Sequence, residues 1–144
     1  MPSLGHLGPP KGSNPRLRCQ RWVIGYFSGA EPAAEAVARL LGEDRLAVTT
    51  VTLFELACDV STKEQLRDLE LLTRAALVVA LDSYAALKAS AVYRELRTRG
   101  KLIGVADLLI AGCCLAAGLP LLSRNREHFG RVRELKLLQV EEIE

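Results

Sequence analysis

The sequence predicts an α/β fold, a three-layer α/β/α sandwich around a mostly parallel sheet. Two observations predict it. Short, predominantly apolar stretches, such as Leu46–Thr50, Leu77–Leu81 and Leu119–Leu122, alternate with helix-length segments. Strands buried on both faces read as continuous apolar runs, and parallel strands need crossover helices between them. The third observation concerns chemistry. Asp107 opens an otherwise apolar helix-length run, Gly104–Gly118, and the strand that follows ends in Ser123, Arg124 and Asn125. An ionised carboxylate entering a buried segment is costly unless a cation or strong hydrogen bonds compensate it.

Taken in order, residues 1–18 (MPSLGHLGPPKGSNPRLR) are rich in Gly, Pro and Arg and lack apolar period. They read as an unstructured tail before a single domain over 19–144. Trp22–Phe27 is a short apolar patch. Glu31–Leu41 carries Ala, Val and Leu at helical spacing, with Pro32 suited to a first turn. Leu46–Thr50 is a strand that runs into a helix holding Leu53, Phe54, Glu55 and Leu56. Ser61 or Thr62 caps the next helix, which carries Glu64 in its first turn and reaches about Ala75. Leu77–Leu81 is a buried strand. Ser83 caps a long amphipathic helix to Arg99, closed by Gly100. The apolar helix after Gly104, the strand Leu119–Leu122, a short polar helix near Asn125–Phe129 and a last strand, Leu135–Val140, complete the chain.

Composition narrows the function. The chain has 144 residues, 49% hydrophobic and 25% charged, so it can build one real core. Asp82 and Asp107 interrupt the best candidates for a membrane span, and the N-terminus lacks the pattern of a signal peptide. The expected location is the cytoplasm. Cys19, Cys58, Cys113 and Cys114 lack zinc spacing, and the adjacent pair in an apolar helix reads as small core residues of a reduced compartment. The net charge is +2, but Lys11, Arg16, Arg18 and Arg21 all precede Trp22 with no acid among them. Without these four, 15 basic residues face 17 acidic ones, a net of −2. Any nucleic acid must therefore be met by local clusters, of which there are two: Arg94, Arg97, Arg99, Lys101 and Arg124, Arg126, Arg131, Arg133. Two solvated helix ends would look the same.

Ligands of parallel sheets bind beyond the carboxyl ends of the strands, and Glu55, Asp107 and Asn125 all fall there. Each has a plainer explanation alone. Glu55 can be a helix-surface glutamate, Asp107 can answer the helix macrodipole, and Ser123 and Asn125 can be N-caps. His128 reads as a packing or hydrogen-bonding group. Gly-rich phosphate loops are absent, and no serine or cysteine has a neighbouring base.

Together these segments resemble a family. VTLFELA, LDSYAALKASAVYRELRTRG and IGVADLLIAG…GLPLLSRNREHF, in this order, are similar to the PIN domains of VapC toxins from VapBC toxin–antitoxin pairs, over about Trp22–Val140. The resemblance implies an acidic cluster that binds Mg²⁺ or Mn²⁺ and hydrolyses RNA phosphodiesters. It implies Glu55 and Asp107 as metal ligands, Asn125 as a further catalytic group and Ser123 as a supporting one. Arg124 and Arg126 would hold the RNA backbone. A VapB-like antitoxin and a homodimer are the implied partners, with no membrane involved. The alternative is a catalytically dead PIN domain that serves as an antitoxin-binding or dimerisation module.

One part of the pattern is missing. The family begins with a strand that ends in Asp, followed by a small residue and Ser or Thr. Counting back from Ile24, Tyr26 and Gly29, that place is Cys19-Gln20-Arg21, which carries no acid. The first strand is expected to be degraded or missing, because GSNPRLR does not suit the centre of a sheet. A frameshift accounts for both losses. Arg18-Cys19-Gln20-Arg21 written AGA TGC CAG CGT, followed by the TGG of Trp22, reads one base later as Asp-Ala-Ser-Val. A small insertion or deletion is therefore expected near codons 21–23, and sequencing the gene checks it. Codons for Arg18 and Gln20 that cannot yield Asp and Ser in the shifted frame would exclude the idea.

Overall fold

The computed structural model describes residues 22–24, 38–39, 41–123 and 125–138. Their elements are β1 (Trp22–Ile24), β2 (Leu46–Thr49), α1 (Thr50–Cys58), α2 (Lys63–Ala75), β3 (Leu77–Val79), α3 (Ser83–Thr98), α4 (Val105–Ala117), β4 (Leu121–Leu122), α5 (Arg126–Phe129) and β5 (Leu137–Leu138). The strands make one sheet in the order β3-β2-β1-β4-β5, and every pairing is parallel.

The side chains alternate across this sheet as strand geometry requires. Val23, Ala47, Val79 and Leu121 face a core shared with Ala85, Val92 and Leu96 of α3 and Leu108, Ile110 and Ala111 of α4. Leu46, Val48, Leu122 and Leu138 face a second core, closed by Leu53 of α1 and Leu72 of α2. Two cores on opposite faces make three layers, and they explain why the strands have no polar side.

The first strand departs from expectation. The stretch 12–18 lies outside the described residues, but the central place is not empty. Trp22–Ile24, expected only as an apolar patch, pairs with β2 through Val23 and Ala47 and with β4 through Val23 and Leu121. A central parallel strand must be apolar on both faces, and WVI meets that requirement where GSNPRLR does not. The strand is short, but it is present.

Other boundaries move for identifiable reasons. The run Leu119–Leu122 yields a strand only at Leu121–Leu122. Leu119 donates its N–H to the Cys114 carbonyl to close α4, and Pro120 has no N–H to give. Leu77–Leu81 ends as a strand at Val79, and the Leu81 N–H turns to the Thr50 hydroxyl at 3.1 Å. Asp82, not Ser83, caps α3, accepting from the Ala85 N–H at 2.9 Å. Thr62 caps α2 in a capping box with Gln65. Gly100 (φ 65°) closes α3 in a Schellman turn, with Lys101 N–H bonded to the Leu96 carbonyl. Of the predicted helix Glu31–Leu41, residues 31–37 and 40 lie outside the described residues; 38–39 and 41–42 are helical.

Helices α3 and α4 pack closest where side chains are smallest. A Cβ placed on Gly112 would lie 2.6 Å from the Ala85 carbonyl oxygen and 2.6 Å from the Ala89 Cβ. The obstacle is backbone, which cannot swing aside. Gly112→Ala is therefore expected to destabilise the fold by about 1–3 kcal/mol despite its better helix propensity. Urea denaturation checks this; unchanged stability would mean the helices separate freely.

Candidate metal centre

Three elements deliver side chains to the carboxyl edge of the sheet. β2 ends at Thr49, which caps α1 by accepting from the Thr52 N–H at 3.0 Å. The two hydroxyls lie 3.1 Å apart, both side chains fully buried. This buried pair fixes the start of α1 and places Glu55 one turn on. Gly104 opens α4 in extended backbone without a side-chain cap, and Asp107 sits in the first turn. β4 ends in buried Ser123, and Asn125 precedes α5.

Asp107 does more than answer a helix dipole. Its Oδ2 accepts from Asn125 Nδ2 at 3.0 Å and lies 3.1 Å from His128 Nδ1. Asn125 Nδ2 is in turn 2.9 Å from that ring nitrogen. One nitrogen cannot accept from the amide and donate to the carboxylate at once. With its proton on Nε2, His128 accepts from Asn125; with a proton on Nδ1, it donates to Asp107. Asn125 occupies the N-cap position of α5 but makes no side-chain cap bond. Its amide is committed to Asp107 and His128 instead. Ser123 supports the turn, its Oγ accepting from the Asn125 N–H at 3.1 Å.

Glu55 is half-buried and belongs to the same electrostatic cluster. Burial pushes its carboxyl above the ordinary value, and the negative charges of Asp107 and then Asp59 add to the shift. A half-buried carboxyl facing neighbouring negative charge is a place where a cation is favoured. Among the described residues, no three His, Cys, Asp or Glu side chains are grouped so as to hold a metal ion. Glu55 and Asp107 nonetheless fit a hard divalent cation, since Mg²⁺ is commonly held by one or two carboxylates with water filling its other positions.

The structure thus brings Asp107, Asn125 and Ser123 into one hydrogen-bonded group, with Glu55 coupled to it through charge. Arg124 lies outside the described residues. Arg126 is exposed at the start of α5. His128 is the member that sequence reasoning left aside as a ligand; its spacing of three from Asn125 on a helical turn was the available signal. Thr49 and Thr52 carried no signal beyond capping. Cys113 and Cys114 are free and fully buried, and burial pushes the Cys113 thiol up to about 11. They are core residues, as their sequence setting suggests.

Comparison with known proteins identifies the family. Residues 22–135 match the PIN domain family. Ribonuclease VapC1 of Methanocaldococcus jannaschii is 32% identical over 91 residues, 63% of this chain and 67% of that protein. Among solved structures, VapBC-1 from nontypeable Haemophilus influenzae superposes with a TM-score of 0.69 at 26% identity, covering 83% of this chain and 98% of that one. DNA-bound VapBC from Salmonella typhimurium gives 0.71 at 21% identity, with 83% and 98% covered. The chain belongs to the PIN domain family. Within it, this is a VapC-like protein of the toxin–antitoxin kind. No described helix is long and apolar enough to cross a membrane.

The raised Glu55 carboxyl has a consequence for stability. Below about 4.5, its ordinary value, the group is neutral in both folded and unfolded chains, and its contribution is fully present. As pH rises through the higher folded value, that contribution is lost. Metal-free Glu55→Gln is therefore expected to melt at a higher temperature than the parent at pH 7 and at a similar temperature at pH 4. Equal melting points at both pH values would show that neither burial nor the Asp107 charge raises the Glu55 carboxyl.

Proposed function

We propose that this fold is that of a metal-dependent endoribonuclease toxin, cutting RNA phosphodiesters at the carboxyl edge of the sheet. The observation that carries the reading is the commitment of Asp107. Its carboxylate gathers Asn125 and His128 and is charge-coupled to Glu55, in a chain similar to a ribonuclease VapC1. Glu55 and Asp107 would hold Mg²⁺ or Mn²⁺. A cation bound there supplies an activated water and neutralises charge on the phosphodiester. Asn125 orients the Asp107 carboxylate through its amide, and Ser123 holds the Asn125 backbone in place. Arg124 and Arg126, next along the chain, would hold the RNA backbone.

A VapB-like antitoxin is the proposed protein partner, and a second copy of the chain a further one. Relatives have been solved as VapBC complexes, some of them on DNA. In this chain α2 buries none of its residues fully and leaves Leu66 and Leu71 about half exposed. Such an amphipathic face is suited to an apolar segment of a partner.

A second reading is favoured by one specific observation. Residues 19–21 lack the acid with which the family begins, and no three-residue acidic group occurs among the described residues. On that reading the chain binds antitoxin or dimerises without cleaving RNA.

Metal titration and cleavage separate the two. If the chain is a nuclease, Asp107→Asn is expected to lower Mn²⁺-dependent RNA cleavage below about one hundredth of the parent rate with little change in stability, because the side chain keeps its shape and loses its charge. Glu55→Gln should lose cleavage to a similar extent, with the gain in melting temperature at pH 7 described above. Variants that cleave as fast as the parent after EDTA washing would refute the site. A parent that binds neither Mn²⁺ nor Mg²⁺ yet co-purifies with the adjacent gene product would establish the binding module.

A further inference from the structure

Two arginines from the separate basic clusters cross between the exits of α3 and α5. Arg131 Nη1 donates to the Leu102 carbonyl at 2.9 Å. Arg99 Nη2 donates to the carbonyl of Arg131 itself. Each guanidinium is steadied by an acid one turn back in its own segment, Glu95 at 3.3 Å from Arg99 and Glu127 at 3.5 Å from Arg131. The clasp therefore joins two chain segments about thirty residues apart through carbonyls that no helix or strand uses.

Its position gives it a role. Leu102 lies two residues before Gly104, which opens α4, and Asp107 is in the first turn of that helix. Arg131 donates its own N–H to the His128 carbonyl at 3.1 Å, so its backbone continues the turn that carries His128 and Asn125. Phe129 and Val132 are buried in the core and anchor that turn, and the two arginines add a direct link from it to the loop before α4. Helix α5 has four residues and β4 has two, lengths that do not persist without tertiary contacts. The loop before α4 is likewise a glycine turn, with Gly100 at φ 65°. Two short segments must meet within hydrogen-bond distance for Asp107 to reach Asn125 and His128. Arg99 Nε is buried with no hydrogen-bond partner among the described residues, an arrangement that stability alone disfavours.

We propose that Arg99 and Arg131 are positioning residues, which set the distance between the first turn of α4 and the Asn125–His128 turn and so orient the Asp107 carboxylate. The catalytic meaning of this rests on Asp107 being a metal ligand; the geometric claim does not. Neither arginine touches the proposed metal or substrate.

The test is NMR of the isotopically labelled full chain without metal, following the Asn125 side-chain amide and the His128 ring nitrogens, paired with Mn²⁺ titration. In Arg131→Gln, both sets of signals are expected to shift, while the backbone amides of Ala89 and Gly112, in the α3–α4 contact, stay in place. Mn²⁺ affinity is expected to fall about tenfold, the scale seen when groups that orient a metal ligand are removed. Arg131→Lys, which keeps a donor for Leu102, should return the signals toward those of the parent. Asn125 and His128 signals unchanged in Arg131→Gln, even with a lower melting temperature, would overturn the proposal. Should that variant fail to fold, Arg99→Gln, which removes the donor to the Arg131 carbonyl, takes its place, and unchanged Asn125 and His128 signals in it would overturn the proposal equally. A parent that binds no Mn²⁺ refutes the metal reading alone, because the metal-free spectra still decide whether the clasp positions the site.

Discussion

Leu121 and Leu122 are neighbours in sequence, face opposite cores, and are both fully buried. That requirement, a sheet with no wet face, governs the rest of the molecule. Each fully buried leucine contributes about 1.5–3 kcal/mol relative to exposure, so a polar residue on either face would be costly. With helices needed over both faces, the strands connect by crossovers and pair in parallel. Parallel pairing places every strand's carboxyl end on one edge. Thr49, Leu122 and the turns after them reach that edge as a result of the packing, and the polar residues of the chain collect where the strands run out.

The edge is then completed by contacts between helix starts. α4 opens without a side-chain cap, leaving Asp107 to look outward to Asn125 and His128. Asn125 gives up the cap of its own short helix to make that contact. Local helix chemistry is thus set aside at two adjacent places in favour of one cluster. Glu55 arrives from the other side of β1, on a helix anchored by the buried Thr49–Thr52 pair, and meets like charge. Buried hydroxyls on one side and the Asn125 amide on the other hold these carboxylates in place.

The sequence determined by itself the order of helices and strands from Leu46 onward, the two-faced burial and the carboxylate in an apolar run. These depend on periodicity and on the cost of burying polar groups, which act within a segment. Glu55, Asp107 and Asn125 were legible because each follows a strand or opens a helix at one sheet edge. The tertiary structure alone decided what depends on distant partners. It took Trp22–Ile24 as the central strand, because a place hydrogen-bonded on both sides accepts only a segment apolar on both faces. It shortened β4 because Leu119 was needed by α4. It turned Asn125 from cap to partner of Asp107, and it made Arg99 and Arg131, indistinguishable in sequence from solvated charges, into bonds to backbone carbonyls. A side chain's local options can be read from its neighbours along the chain; which option it takes is set by the donors and acceptors that folding brings beside it.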